Sequence, residues 1–207
     1  MNNINFKGIN ISNANVLSHK MSIYKLTEKD KPFIKQLSEK IDLKKLFPDI
    51  TPDDFKIYDF FLKRGLNNAM DKNKDGLLLA CDGIPCGIMA NKTSKSTQVV
   101  NYICTWPIKS GVKAPFGAQT LFAQMFGNFL KSGANFIELN ATRFGSAISK
   151  YRRLGFKSYG GDNYSEIMRI KRCEVIQSYE KLRNKINLQP CKDNTDLDLF
   201  KVLKLNH

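Results

Sequence analysis

The ten residues Ala147-Ile148-Ser149-Lys150-Tyr151-Arg152-Arg153-Leu154-Gly155-Phe156 constrain the fold of this chain most. They read as a short helix that carries a tyrosine and stops one turn later at a glycine. A phenylalanine then opens a strand. A helix this short between strands belongs to a mixed α/β chain.

The rest of the chain supplies the order of elements around that stretch. Residues 22–26 alternate like a strand. Residues 28–46 place Phe33, Ile34, Leu37, Ile41 and Leu43 at helical spacing. Thr51-Pro52-Asp53-Asp54 is a helix start: a hydroxyl cap, a proline at the first position, then carboxylates at the positive end. That helix runs through Phe55, Tyr58, Phe61, Leu62 and Leu66 toward Met70. Residues 77–81 and 84–90 form a hairpin across Asp82-Gly83, and 97–105 add a third strand. Leu121, Phe122, Met125, Phe126, Phe129 and Leu130 then fall on one helical face, with Pro115 before the helix and Gly133 as its expected cap. A strand follows at 135–141, then the Tyr151 helix, then a hairpin of 156–159 and 166–170 across Gly160-Gly161-Asp162-Asn163.

Residues 1–20 read as an extension, either an added strand or a disordered arm. Residues 173–207 carry a helix through Val175, Ile176, Tyr179, Leu182 and Ile186, then an amphipathic stretch at 197–205. At 207 residues the chain suits one domain with extensions. No apolar run reaches membrane length, and the first twenty residues lack the pattern of a secretory signal. Five cysteines without a CxxC pair read as reduced thiols of a cytoplasmic protein. Two histidines, His19 and His207, exclude a histidine-rich zinc site and argue against a Ser/His or Cys/His nucleophile. Asp71 to Asp82 mimics an EF-hand loop in part, but Leu77-Leu78-Leu79 reads as strand, so a polar turn is the expectation. No metal is expected. The formal net charge is +14, yet no Asp or Glu occurs between Gly83 and Ile137, and eleven of nineteen carboxylates lie between Glu28 and Asp82. The middle of the chain suits an anion, and the early part suits a cation.

The stretch around Tyr151 resembles A-I-x-x-Y-x-x-x-G-F, the late segment of the GCN5-related N-acetyltransferase (GNAT) family. The order strand, two helices, three strands, helix, strand, helix, two strands over residues 21–172 is similar to that family's arrangement. The resemblance implies a GNAT-like α/β domain with a mixed central sheet, an N-terminal arm at 1–20 and a helical C-terminal extension at 173–207. It implies transfer of an acetyl group from acetyl-CoA to an amine on a protein, peptide or small molecule, with Tyr151 protonating the departing thiolate.

In the family a Gln/Arg-x-x-Gly-x-Gly/Ala loop binds the pyrophosphate. Here one register aligns it with Lys113-Ala114-Pro115-Phe116-Gly117-Ala118 and puts Phe116 on the central glycine, where a side chain can obstruct a phosphate. The alternative, one residue on, restores Gly117 as that glycine but leaves Ala114 and Gln119 at the flanks. The backbone around Ile103 and Thr105 is expected to bond pantetheine, and Trp106 either stacks nearby or belongs to the core. The family's helix asparagine falls on Phe144, with Asn140 as a substitute. The strand over 97–105 lacks the glutamate some members use as base, so deprotonation falls to an acceptor-side carboxylate (Asp53, Asp54 or Asp59), to a backbone carbonyl, to water, or to no dedicated base. Two other functions stay open: a GNAT fold that binds a partner without catalysis, and a basic GNAT acting on or bound to RNA.

Overall fold

The computed structural model describes residues 6–143 and 146–191. Nine strands form one sheet in the order β11-β1-β2-β3-β4-β5-β8-β10-β9. These are β1 (Ile9–Val16), β2 (His19–Lys25), β3 (Asp75–Cys81), β4 (Ile84–Thr93), β5 (Thr97–Thr105), β8 (Phe136–Thr142), β9 (Lys157–Gly161), β10 (Ser165–Lys171) and β11 (Gln189–Pro190). Every neighbouring pair is antiparallel except β5 and β8. The β3–β4 turn is Asp82-Gly83, with both residues at positive φ (50° and 83°), the twist that two-residue hairpins favour.

Two apolar layers cover the sheet. One face is packed by α4 (Gly117–Lys131), α5 (Ala147–Arg153) and α6 (Arg172–Ile186), with Phe122, Phe126, Phe129 and Phe156 fully buried. The other is packed by α1 (Lys31–Lys40), α2 (Leu43–Leu46) and α3 (Pro52–Ala69) through Phe33, Leu37, Leu62 and Leu66. Strands β3 and β4 lie between the layers and are buried almost throughout, which explains their unbroken apolar runs.

Several expectations need correction. The single helix expected over 28–46 is a 3-10 turn at Glu28–Asp30 followed by α1 and α2. Asp42 causes the break, because its carboxylate accepts the Lys44 and Lys45 N–H groups and starts a new helix. Gly133 is not the α4 cap. The chain leaves α4 extended at Ser132 (φ −87°), and the Arg172 guanidinium bonds the Phe129, Leu130, Ser132 and Ala134 carbonyls. Residues 9–16 are an added strand. The family's asparagine position, Phe144, and the stretch at 197–205 lie outside the described residues.

Candidate active site

Strands β5 and β8 pair in parallel from Thr97↔Phe136 to Val100↔Leu139, and there the pairing ends. Both strands continue, β5 to Thr105 and β8 to Thr142, so they splay and leave a gap in the sheet. The cause lies on the other side of β5. Ala90 on β4 faces Tyr102 and Asn91 faces Val100, so Asn101 is an extra, bulged residue. A bulge bends its strand and sharpens the twist. The Asn101 Oδ1 is buried there without a hydrogen-bond partner.

The splay exposes backbone polar groups. Trp106 donates its N–H to the Cys86 carbonyl (2.9 Å). Antiparallel alternation then directs Cys104 and Tyr102 toward β4, and turns the N–H and C=O of Ile103 and Thr105 into the gap. Trp106 itself is core: it is buried, and its indole N–H bonds the Pro85 carbonyl (2.8 Å). Cys104 is buried, and desolvation pushes its thiol up to about 12, unsuited to a nucleophile.

Tyr151 lies on α5, partly buried against Phe122 (5.8 Å between ring centroids) and Phe156 (6.1 Å). Its hydroxyl makes no hydrogen bond among the described residues. Burial, with the Cys104 thiol as the second contributor, pushes the phenol up to about 12. The phenol therefore stays protonated at neutral pH and lies within electrostatic reach of β5. Gly155 ends the helix at φ +96°, and a Cβ there would lie 2.9 Å from both Ile170 Cδ1 and Ser178 Oγ. That glycine lets α5 turn back onto β10 and α6.

A second device holds α5. Glu166 is buried on β10, and its carboxylate accepts from the Ser158 hydroxyl and from Arg152 (3.2 Å), with Arg143 at 3.5 Å. The Ser158 hydrogen bond first, then the two guanidiniums, hold it below the usual carboxylate range. Sequence reasoning missed this residue. The signal was present, since Glu166 shares the period-two face of Met168 and Ile170.

The loop expected between the β5 strand and the next helix is folded. Strands β6 (Pro107–Lys109) and β7 (Val112–Lys113) form a small hairpin, with Gly111 at φ +68° and its N–H on the Leu46 carbonyl (3.0 Å). Ala114 and Pro115 follow, and Phe116 precedes α4 in the left-handed conformation (φ 53°, ψ 24°). That conformation favours glycine and costs a side chain some strain. The ring lies against the apolar core, with the Lys185 ammonium 4.4 Å from its centroid, on the α6 side. α4 opens with no side-chain cap and no acid in its first turn. The N-cap side chain takes none of the first N–H groups, those of Gly117, Ala118 and Gln119, and the intrahelical bonds begin with Thr120 on the Phe116 carbonyl (2.8 Å). Lys113 stands on β7 with its ammonium 5.8 Å from the Phe47 ring centroid.

The remaining candidates scatter. Asn140 is the first β8 residue beyond the parallel pairing and is exposed. Its neighbours Leu139 and Ala141 point to the α4 face, so Asn140 points to the α3 side. Asp53 is exposed and pairs with Lys56 (3.7 Å), and Asp54 accepts from the Thr51 hydroxyl (2.9 Å) at the start of α3. Asp59 pairs with Lys63 (2.8 Å). All three carboxylates are engaged on their own helix, so the structure does not bring them to the gap as a set. Tyr58, one helical turn beyond Asp54, packs on Phe47 (5.1 Å). Its phenol is raised by burial, then by Cys104 and Asp54. Arg152 on α5 holds Glu166, and Lys157 on β9 pairs with Glu174. The EF-hand mimic is a turn in which the Lys74 ammonium sits 3.3 Å from Asp71. No helix among the described residues is long and apolar enough to cross a membrane.

No family model and no curated protein matches the sequence. Solved structures do match the fold. An uncharacterized protein from Bacillus halodurans superposes with a TM-score of 0.55 at 14% identity, covering 87% of this chain and 100% of that one. The nucleotide-linked sugar GNAT FdhC gives 0.54 at 11% identity, over 87% and 99%. The PaiA N-acetyltransferase from Thermoplasma acidophilum, in complex with coenzyme A, gives 0.53 at 18% identity, over 73% and 98%. Splayed parallel strands, the helix order and these likenesses together identify the fold of this chain as that of the GCN5-related N-acetyltransferases.

Proposed function

We propose that this protein is an N-acetyltransferase that moves an acetyl group from acetyl-CoA to an amine. One observation carries the reading: the β5–β8 splay, with free backbone groups at Ile103 and Thr105, opens beside a protonated tyrosine. The residues present fit a CoA thioester. The N–H groups at the start of α4, with Lys113 nearby, suit its phosphates. The backbone edge at Ile103 and Thr105 suits the amides of its pantetheine arm, and one N–H there can polarise the thioester carbonyl. Bound acetyl-CoA supplies an activated acyl group on a good leaving thiolate. Tyr151 then donates its proton to that sulfur as the thiolate leaves.

The acceptor enters from the α3 side, past Tyr58. Glu138 on β8 is the one carboxylate on the two strands that flank the gap, and it is ion-paired to Arg169 at 2.6 Å. Water or an acceptor amine of low pKa therefore accounts for the amine's proton. Calorimetry with acetyl-CoA, and thiol release in the presence of a broad amine panel, test the reading. Binding without release in any amine would favour the non-catalytic alternative, and no binding at millimolar acetyl-CoA would overturn both.

A further inference from the structure

A second side-chain cluster lies at the C-terminal end of β3, two strands away from β5. His19 opens β2, Cys81 ends β3, and Asp82 starts the hairpin turn that follows. The His19 Nδ1 lies 2.6 Å from Asp82 Oδ2, and the Cys81 Sγ lies 3.9 Å from the same oxygen. One nitrogen, one sulfur and one carboxylate oxygen all fall within 4.8 Å of one another. Nothing in the spacing of 19, 81 and 82 announces this. The antiparallel pairing of β2 with β3 creates it by setting Met21 opposite Cys81.

We propose that His19, Cys81 and Asp82 bind one divalent cation of the zinc class. The donor set is the argument: imidazole, thiolate and carboxylate are the ligands zinc takes. The geometry is close to what the ion needs. Tetrahedral bonds of about 2.1 Å to nitrogen and oxygen separate those atoms by about 3.4 Å, and a bond of about 2.3 Å to sulfur puts it about 3.6 Å from the oxygen. The sulfur–oxygen distance must shorten by a few tenths of an ångström, and the His19–Asp82 pair must open by less than one. His19 can move, because its side chain is 35% exposed.

Asp82 is already oriented. Its Oδ1 accepts the Lys20 N–H (2.8 Å) and its own N–H bonds the Lys20 carbonyl (2.8 Å), which leaves Oδ2 facing the other two donors. Such outer hydrogen bonds are what fixes a metal ligand in place. On binding, the Cys81 S–H bond breaks, its proton goes to solvent and a sulfur–metal bond forms. Solvent takes the fourth position on the exposed side. The ion would tie the start of β2 to the β3–β4 turn.

The test uses the full-length, untagged protein and cobalt as the spectroscopic stand-in. Titration with Co2+ should give one equivalent with a thiolate-to-metal charge-transfer band and tetrahedral visible bands, displaced by Zn2+. His19→Ala should weaken binding by about tenfold or more. Cys81→Ser should abolish the charge-transfer band. Cys86→Ser, at a buried neighbour outside the cluster, and Cys173→Ser, at an exposed thiol, should keep both. If Cys81→Ser does not fold, the exposed His19 variant still decides. No cobalt spectrum up to millimolar metal, or a spectrum that survives His19→Ala at unchanged affinity, would overturn the proposal.

Discussion

Replacing Tyr151 with phenylalanine removes one oxygen and leaves the ring, which packs on Phe122 and Phe156 at 5.8 and 6.1 Å. The hydroxyl makes no hydrogen bond among the described residues, so its loss should change folding stability by less than about 1 kcal/mol. Its loss in catalysis should be much larger. A positioned general acid contributes about 10²–10⁴-fold. At roughly 1.4 kcal/mol per factor of ten, that is about 3–5 kcal/mol of transition-state stabilisation. Because the proton is needed only as thiolate charge develops, acetyl-CoA affinity should be unchanged. Three measurements on one preparation separate these terms: thermal denaturation, calorimetric Kd for acetyl-CoA, and kcat by thiol release. The pH profile adds a fourth. Deprotonating the phenol removes the acid, so activity from this group falls as pH rises through a value of about 12. Tyr151 should therefore impose no basic limb in the ordinary assay range. Unchanged kcat in the variant would refute the role. A wild-type basic limb well below the tyrosine's ordinary value of 10.0 that disappears in the variant would keep the role and contradict the raised pKa.

Gly155→Ala forces a left-handed residue and places a methyl 2.9 Å from Ile170 and Ser178. It should cost about 2–4 kcal/mol in chemical denaturation. Glu166→Gln should lower the denaturation midpoint at neutral pH by weakening the tie between α5 and β10. The folded carboxyl titrates below its unfolded value, so the stability it adds is present above the unfolded pKa and lost as pH falls through the folded one. Wild type and variant should converge in acid, and a gap that persists there would contradict the electrostatic account. Phe116→Gly relieves a left-handed side chain but removes a partly buried ring and its contact with Lys185. The relieved strain is about 1 kcal/mol and the lost burial and Lys185 contact together about 2 kcal/mol or more, so stability should fall by about 1 kcal/mol. Acetyl-CoA affinity should not rise, since the ring lies on the α6 side. Tighter binding in calorimetry would mean that it does obstruct the phosphate loop.

The order of strands and helices over residues 21–172 was legible because apolar period, caps and turns act within a few residues. Thr51-Pro52, Asp82-Gly83 and Gly155-Phe156 each mark a boundary by local chemistry, and each boundary is found in the fold. The short helix that carries Tyr151 was legible for the same reason, as part of a contiguous motif. The gap was not. It depends on where β5 stops pairing with β8 and on a bulge at Asn101, both set by contacts between distant segments. Asp53 and Asp54 were legible as the acidic first turn of a helix, but their partners, Lys56 and the Thr51 hydroxyl, were not. Glu166 is a charge on an apolar face whose partners, Arg143, Arg152 and Ser158, come from three other segments. Composition and local period determined which elements form. Only the tertiary pairing decided which backbone edges stay open, which charges are satisfied, and that His19 lies beside Cys81 and Asp82. Those outcomes depend on register and strand order, which no local stretch of sequence encodes.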